Sequence, residues 1–465
     1  MKLVKLSLVA AFAAGAFSVA NATPLDEAIK DVDLTGALRY RYNVGKISKK
    51  HNSGFTNGTG GIGEPGQAHN WAAKVGFDAA IADDFRAFLE VYYNAGQEPG
   101  YNYGGASDLA ATRGTDTRTG FSVRQFYFTY AAEPVDTKIL FGKMQIESIW
   151  TTSFFGLVGT GAKILNTSLE GTVLAAYAFD SFDSFDNGVE GDLFLNSSRG
   201  WLTPAGNGGQ LGLNANAANA SGINPYAENL YGVAAIGSYD VGLGQFNPQV
   251  WLAYLTDTAF FYALDLPFKT TFDNDLTWNL NFGYLGNAAL SDYKKAFGTF
   301  GAGDKNTVTG GNFIALNGSI EYMGFDAGIG GFYYGDKDQF SLTTLEDEGN
   351  LDHLIAGKEI YYTSGSNLNG DIGANTFGFI RLGYTFDEVY RLGVDFVYGG
   401  TKIANDAWGD HDGAGKKFEA AVIGNYKYTP KLNFQAWYSY VNIDAQGDDH
   451  DGRKNSVRLQ ALYKF

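Results

Sequence analysis

One pattern governs what this chain can fold into. Segments of about ten residues alternate apolar and polar side chains, over and over, from Leu34 to the end. The clearest is the last, NSVRLQALYKF, from Asn455 to Phe465. Val457, Leu459, Ala461, Tyr463 and Phe465 share one face. Arg458, Gln460 and Lys464 share the other, with Leu462 the exception. A period of two is the mark of a strand with one apolar and one wet face. Its length suits a tilted strand crossing a bilayer. Taken alone, the segment equally suits an edge strand of a soluble sheet.

The rest of the chain decides between these. Strands are read at Leu34–Asn43, Trp71–Ile81, Phe85–Tyr93, Gly120–Tyr130, Thr137–Gly142, Ala162–Asn166 and Thr172–Asp180. More follow at Glu228–Tyr239, Phe246–Leu255, Ala259–Phe268, Leu276–Leu285, Phe313–Met323 and Gly324–Gly335. The last are Ala374–Phe386, Val389–Gly399, Lys417–Tyr428, Lys431–Ile443 and Asn455–Phe465. That makes about eighteen strands, within the range of membrane barrels. Short turns such as Asp387-Glu388 and Thr429-Pro430 alternate with long polar connections, including Ser181–Ala227 and the acidic Asp336–Gly373. A soluble sandwich has no reason to segregate its loops by length. A transmembrane antiparallel β-barrel does, with short periplasmic turns and long external loops.

Lipid offers no hydrogen bonds to a backbone, so a sheet that spans it must close on itself. The first strand, Leu34–Asn43, has the same parity as the last and is its expected partner. Tyr40, Tyr42, Trp71, Tyr93, Tyr130, Tyr428, Tyr438, Tyr440 and Tyr463 are candidates for aromatic girdles. Arg39, Arg41, Lys74, Asp78, Arg86, Glu90, Arg391, Asp395, Lys417, Glu419, Lys427 and Arg458 fall on the inward face, where a water-filled lumen accommodates charge.

The N-terminus fits export. Lys2 and Lys5 precede a short apolar run from Leu6 to Phe17, and Ala20-Asn21-Ala22 is a small-x-small cleavage site. Residues 1–22 are thus read as a signal peptide and 23–465 as a single barrel domain. No later stretch reaches the roughly 20 consecutive apolar residues of a membrane helix. Cleavage lowers the basic count from 34 to 32 against 50 acids, a net charge of −18. Nucleic acid is therefore a poor partner, and cations or neutral solutes are better ones. High glycine (62) and aromatic content with only 9 prolines suits many strands and tight turns. With no cysteine, stability must come from packing and closure.

Catalytic motifs are lacking. His51, His69, His353, His411 and His450 lie in expected loops without metalloprotease spacing, and no serine occupies a GxSxG elbow. Gly156–Gly161 resembles a phosphate loop but lacks its Lys-Ser/Thr. The acidic clusters Gly409–Gly413 and Asp448–Gly452 carry oxygen ligands suited to calcium but not the spacing of a calcium loop, and a solvated face explains them better. Glu190 with Asp192, and Glu346, Asp347 and Glu348, are further loop clusters, so calcium is a candidate cofactor only.

Lys143–Gly161, GKMQIESIWTTSFFGLVGTG from Gly142, breaks the strand period. It is long enough to fold back into the lumen. Lys143, Gln145 and Glu147 would then face Arg39, Arg41, Arg86 and Arg124 across a narrow point, where charge and width sort solutes. Arg124 is the least regular of these, because Gly120–Tyr130 is apolar on both parities. A surface protein using its external loops for adhesion or envelope anchoring is the alternative reading.

The start MKLVKLSLVAAFAAGAFS, the blocks DEAIKDVDLTGALRYRY, GLVGTG, GSYDVGLGQFNPQVWLAYL, SLTTLEDEGNL and DFVYGGTK, and the end VRLQALYKF resemble the Campylobacter major outer membrane protein family. The resemblance covers nearly the whole chain. It implies an eighteen-stranded porin of the bacterial outer membrane, amid lipid and lipopolysaccharide, and a homotrimer that is surface-exposed. It implies passive, cation-preferring passage of small hydrophilic solutes and ions, narrowed by the third loop. It also implies a calcium ion near the narrowing, with Asp192 and Glu346–Glu348 at matching positions. The family's aspartate before GLVGTG is Phe155 in this chain. The terminal Phe465 is implied to be an assembly signal.

Overall fold

A computed structural model describes residues 32–49, 66–94, 121–182, 228–297, 299–300, 305–306, 308–346, 348–363, 365–404, 413–445 and 451–465. The signal segment 1–22 lies outside them.

Eighteen antiparallel strands form one closed sheet. The first nine are β1 Val32–Lys49, β2 Gly66–Ala82, β3 Phe85–Asn94, β4 Ser122–Ala132, β5 Thr137–Gln145, β6 Val158–Asn166, β7 Thr172–Phe182, β8 Leu230–Gly237 and β9 Gln249–Leu255. The second nine are β10 Ala259–Thr271, β11 Thr277–Ala289, β12 Asn312–Tyr322, β13 Phe325–Tyr334, β14 Ala374–Phe386, β15 Tyr390–Lys402, β16 Gly415–Lys427, β17 Leu432–Ala445 and β18 Gly452–Lys464. Each strand pairs with its sequence neighbour, and β18 returns to β1. Gln460 stands opposite Arg41 and Lys464 opposite Ala37. Beyond the last rung, the Gly36 N–H donates to the Phe465 carbonyl at 2.9 Å, and the Phe465 N–H donates to the Gly36 carbonyl at 3.1 Å. The expected seam between first and last strands is present.

The two ends of the barrel differ as the loop lengths predict. At one end the connections are tight. Met323 and Gly324 (φ 49° and 84°) make a two-residue turn in which both residues need positive φ. A Cβ on Gly324 would meet the Thr385 carbonyl at 2.7 Å. The opposite end carries the longer connections apart from the links at Thr256–Thr258 and 446–451, while the tight-turn end has one longer connection, Ser238–Pro248.

The outer wall is apolar and unpacked. Leu34, Leu38, Val233, Leu316, Ile329, Leu392 and Leu459 are exposed there. Such a band belongs in hydrocarbon, since water would charge about 25 cal/mol for each Å². Aromatic rings cluster at the tight-turn end: Tyr390 stacks on Tyr426 at 4.4 Å, Phe325 meets Tyr384 at 4.4 Å, and Phe85 meets Tyr130 at 4.8 Å. This is one interfacial girdle.

The interior departs from the expectation of a polar lumen lined by strands and capped by external loops. The inward residues of β9 to β15 include Trp251, Ala253, Phe261, Ala263, Phe313, Ala315, Phe332, Phe377, Phe379 and Val397, all buried. What buries them is the connection from Asp336 to Gly373. It folds into the barrel and contributes Leu342, Leu345, Leu351, Leu354, Ile360, Tyr361 and Leu368 to one continuous apolar cluster. The irregular segment after β5, Ile146–Leu157, joins the same cluster through Ile149 and Trp150. The Trp150 ring lies 6.4 Å from Trp251 and 5.8 Å from Phe261. The insertion read as external and acidic is therefore an internal packing element.

Candidate functional site

The two luminal segments meet inside the barrel, and the contact begins with a bulge. Glu90 of β3 stands opposite Gln125 of β4, but Val91 stands opposite Val123, so Arg124 is an extra residue. A bulge lets two successive side chains turn inward. Hence Arg124 and Gln125 both face the lumen, which accounts for the doubled parity of this strand.

The Arg124 guanidinium is fully buried. It donates to Glu90 Oε1 at 2.7 Å, to Gln145 Oε1 at 2.7 Å and to the Gly156 carbonyl at 2.6 Å. Gln125 donates to the same Glu90 oxygen at 3.0 Å and accepts the Gln145 backbone N–H at 2.8 Å. The Gln145 amide donates to the carbonyls of Thr152 at 3.3 Å and Ser153 at 3.0 Å. Burying a charge so deeply is tolerable only with its hydrogen bonds and counter-charge in place. The network ties Ile146–Leu157 to the wall.

Glu346, from the long insertion, ties the same loop from the other side. Its Oε2 accepts the backbone N–H groups of Thr152 at 3.0 Å and Leu157 at 2.9 Å. The Leu345 and Glu346 N–H groups donate to the Trp150 carbonyl at 3.0 and 3.2 Å, and the Asn350 N–H donates to the Ile149 carbonyl at 3.0 Å. Gly156 is needed at this junction, since a Cβ would stand 2.0 Å from the Thr152 carbonyl oxygen. Burial pushes the Glu346 carboxyl up to about 8, while the two N–H donors and Arg124 pull it down. Loss of solvent and the nearby Asp352 push Glu348 up to about 7, against its hydrogen bond to Tyr362 and the attraction of Lys358 and Arg458.

Further ties hold the insertion to β16–β18. Glu419 accepts the N–H groups of Lys358, Glu359 and Ile360 at 2.8, 3.0 and 3.0 Å, and the Ser439 hydroxyl at 2.7 Å. Its carboxylate thus sits at the start of the short 3-10 helix Ile360–Tyr362. Lys454 pairs with Glu359 at 2.9 Å, both wholly buried. His353 meets Asp265 at 3.0 Å.

The predicted narrowing residues are distributed as follows. Arg39, Arg124 and Gln145 converge on the loop: the Arg39 guanidinium lies 4.6 Å from the Phe155 ring centre. Arg41 is on the same wall and donates to Gln460 at 2.5 Å. Arg86 is occupied by Asp78 and Asp33, both at 2.9 Å. Glu147 pairs with Lys163 at 2.8 Å. Lys143 stands opposite the outward Phe126 and donates to the Val123 carbonyl at 3.3 Å. Its register puts it on the outer wall rather than toward the passage, because Lys143 belongs to β5 and the loop itself starts at Ile146.

Calcium can be tested against these residues. Asp192 and Asp347 lie outside the described residues. The Glu346 carboxylate is turned onto peptide N–H groups. Phe155 is buried at φ 61°, an uncommon backbone for a bulky residue, with its ring 5.4 Å from Tyr92. Among the described residues no group of three or more His, Cys, Asp or Glu is placed to hold a metal. The described residues therefore do not fit a calcium site.

The sequence pointed to the third loop but missed the insertion. A signal existed. Ala259–Phe268 and Ala374–Phe386 carry bulky apolar residues on both parities. A barrel strand apolar on its inner face needs something in the lumen to cover it.

Solved barrels share this architecture. Pseudomonas aeruginosa OccK9 (OpdG) superposes with a TM-score of 0.61 at 12% identity, over 94% of this chain and 100% of that one. A BenF-like porin from Pseudomonas fluorescens Pf-5 gives 0.59 at 12% identity, over 94% and 99%. Pseudomonas aeruginosa OpdQ gives 0.61 at 11% identity, over 94% and 99%. At such identities the likeness is one of fold. No curated protein matches the chain. The model of one family, described as Campylobacter major outer membrane protein, matches residues 1–465, and the chain belongs to that family.

Proposed function

We propose that the protein is a general-diffusion porin of the bacterial outer membrane. It passes small hydrophilic solutes and ions passively, with a modest preference for cations. One observation carries this reading: part of the inner wall, on β16 to β18 and β1, carries polar side chains that hydrogen-bond to one another along the wall. Arg41 donates to Gln460 at 2.5 Å, Gln435 to Asn425 at 3.0 Å, and Arg458 to Asn43 at 2.7 Å. The insertion is tied to the same wall through Glu419 and Lys454, and the water path is assigned to the polar stretch beyond those ties. The insertion brings Glu348 within electrostatic range of Arg458, and we read this pair as giving the path a transverse field. The cation preference rests on the acidic balance of the exported chain. Homotrimer assembly amid lipid and lipopolysaccharide is part of the proposal, supported by membership of the family.

Purified protein in a planar bilayer tests the proposal. Stepwise conductance is expected, with a reversal potential in a KCl gradient whose sign favours K⁺. Absence of channels overturns the porin reading, and an anion-favouring reversal potential overturns the cation preference.

A further inference from the structure

One sector of the outer wall turns polar too low to face lipid. On β12 the outward side chains from Tyr322 at the tight turn to Ile314 are apolar, and the first polar one is Asn312. On β14 the outward face is likewise apolar from Phe386 to Gly378, and turns polar at Thr376. A stretch of that length rises about 33 Å along the strand, or about 25 Å at the usual barrel tilt, which is the height of the lipid-facing band.

The outward faces of β5 and β6 turn polar far sooner. Only Ile139 and Phe141 on β5, and Ile164 and Ala162 on β6, come before Lys143 and Thr160. Lys143 stands opposite Thr160, and Thr160 opposite Ser181 of β7, so the three form one cross-strand row. Asp180 is the extra residue of a bulge at this row; it is exposed, and the Ser181 hydroxyl donates to it at 3.3 Å. The row begins six residues above the Thr137–Asn166 pair at the turn. Its height is therefore about 15 Å, well inside the band.

Hydrocarbon solvates none of these groups. Pairing among charges lowers the cost of taking them out of water without removing it, so the sector favours a polar cover over acyl chains. Two features select a second protein wall as that cover. The outward side chains beneath the row include Ala162, Ala176 and Ala178, small enough to let a facing wall approach closely. The row also carries both signs, with Lys143 on β5 and Asp180 on β7, so copies rotated about a common axis bring unlike ends together. We propose that the outward face of β5 to β7 is the surface on which a second copy of this chain seats in the membrane. The inference rests on the homotrimer of the porin reading and adds the wall through which it forms.

The test uses the full-length protein. A photo-reactive benzoylphenylalanine replacing Ser181 in outer membranes is expected to cross-link two copies at least tenfold more than the same group replacing Val422, exposed on the outer wall at β16. In detergent extracts Ala176→Trp is expected to lower the oligomer fraction several-fold, and Val422→Trp to leave it unchanged. In planar bilayers Ala176→Trp is expected to insert as single steps, where wild type inserts in groups of equal steps. Cross-linking at 422 as strong as at 181, or Ala176→Trp protein that folds and keeps the wild-type oligomer fraction, overturns the assignment of the wall. A cross-link from 181 to another segment of the same chain, or a monomeric wild type, overturns the second copy as occupant. Both results leave the porin reading standing as long as channels conduct. Absence of any channel overturns the porin reading, while the cross-link at 181 still decides the wall.

Discussion

The Glu346 side chain accepts the backbone N–H of Leu157 at 2.9 Å across 189 residues of sequence. With the bond from Thr152, it fastens the third loop to the luminal insertion, so the two connections are held as one body. Replacing Glu346 by Ala leaves two buried N–H donors unpaired, at a cost of about 1–3 kcal/mol. Single-channel recordings of Glu346→Ala are expected to show larger conductance and more open-state noise. Traces indistinguishable from wild type would remove Glu346 from this role.

Arg124 holds the other side of the loop. Arg124→Met removes the nearer counter-charge of the buried Glu90 carboxylate and leaves it Gln125 at 3.0 Å and Lys74 at 3.9 Å; breaking a buried pair costs up to about 3–5 kcal/mol. Arg124→Lys keeps the charge but cannot reach Glu90, Gln145 and Gly156 together. Folded yield, read as heat-modifiable mobility on a gel, is expected to fall in the order wild type, Lys, Met. An Arg124→Met protein folding as well as wild type would contradict the network.

Inward folding of the long insertion can be read by labelling, because the chain contains no cysteine. A cysteine at Leu354, buried under the apolar cluster, is expected to resist a bulky membrane-impermeant maleimide applied to whole cells. A cysteine at Leu243, exposed in a connection at the tight-turn end, is expected to react only once the periplasmic side is opened. Rapid labelling at 354 in intact cells would return the insertion to the outside.

The barrel seam ends in the reciprocal backbone bonds between Gly36 and Phe465. Deleting Phe465 removes that rung and is expected to lower the fraction assembled in the membrane several-fold. Channels that do form should keep wild-type conductance, since the deletion leaves the loop ties at Arg124 and Glu346 in place. Normal assembly of the truncated protein would contradict this.

Much of this was legible from residue order. Alternation placed the strands because a pleated backbone turns successive side chains to opposite faces, whatever the partner. The seam was legible for the same reason, as Leu34–Asn43 and Asn455–Phe465 share parity. The bulge at Arg124 showed as a strand apolar on both faces. The boundaries of the third loop were drawn too wide, because Lys143–Gln145 and Val158–Gly161 pair as strand despite their irregular pattern. The insertion was misplaced because its acids dominate its composition. Its Leu, Ile and Tyr residues follow no period, and an irregular segment declares no face.

Leu462 shows the same division at one residue. The sequence by itself determined that this position breaks the alternation of the final strand, since its neighbours set the faces. Only the tertiary structure decided what stands around it, by bringing Arg39 opposite and the Phe154 ring near Lys464 two residues on. Strand and closure follow from local periodicity and the demand that every backbone group find a partner. The contents of the lumen depend on contacts between segments about 200 residues apart, such as Glu346 with Leu157, and no local pattern encodes those.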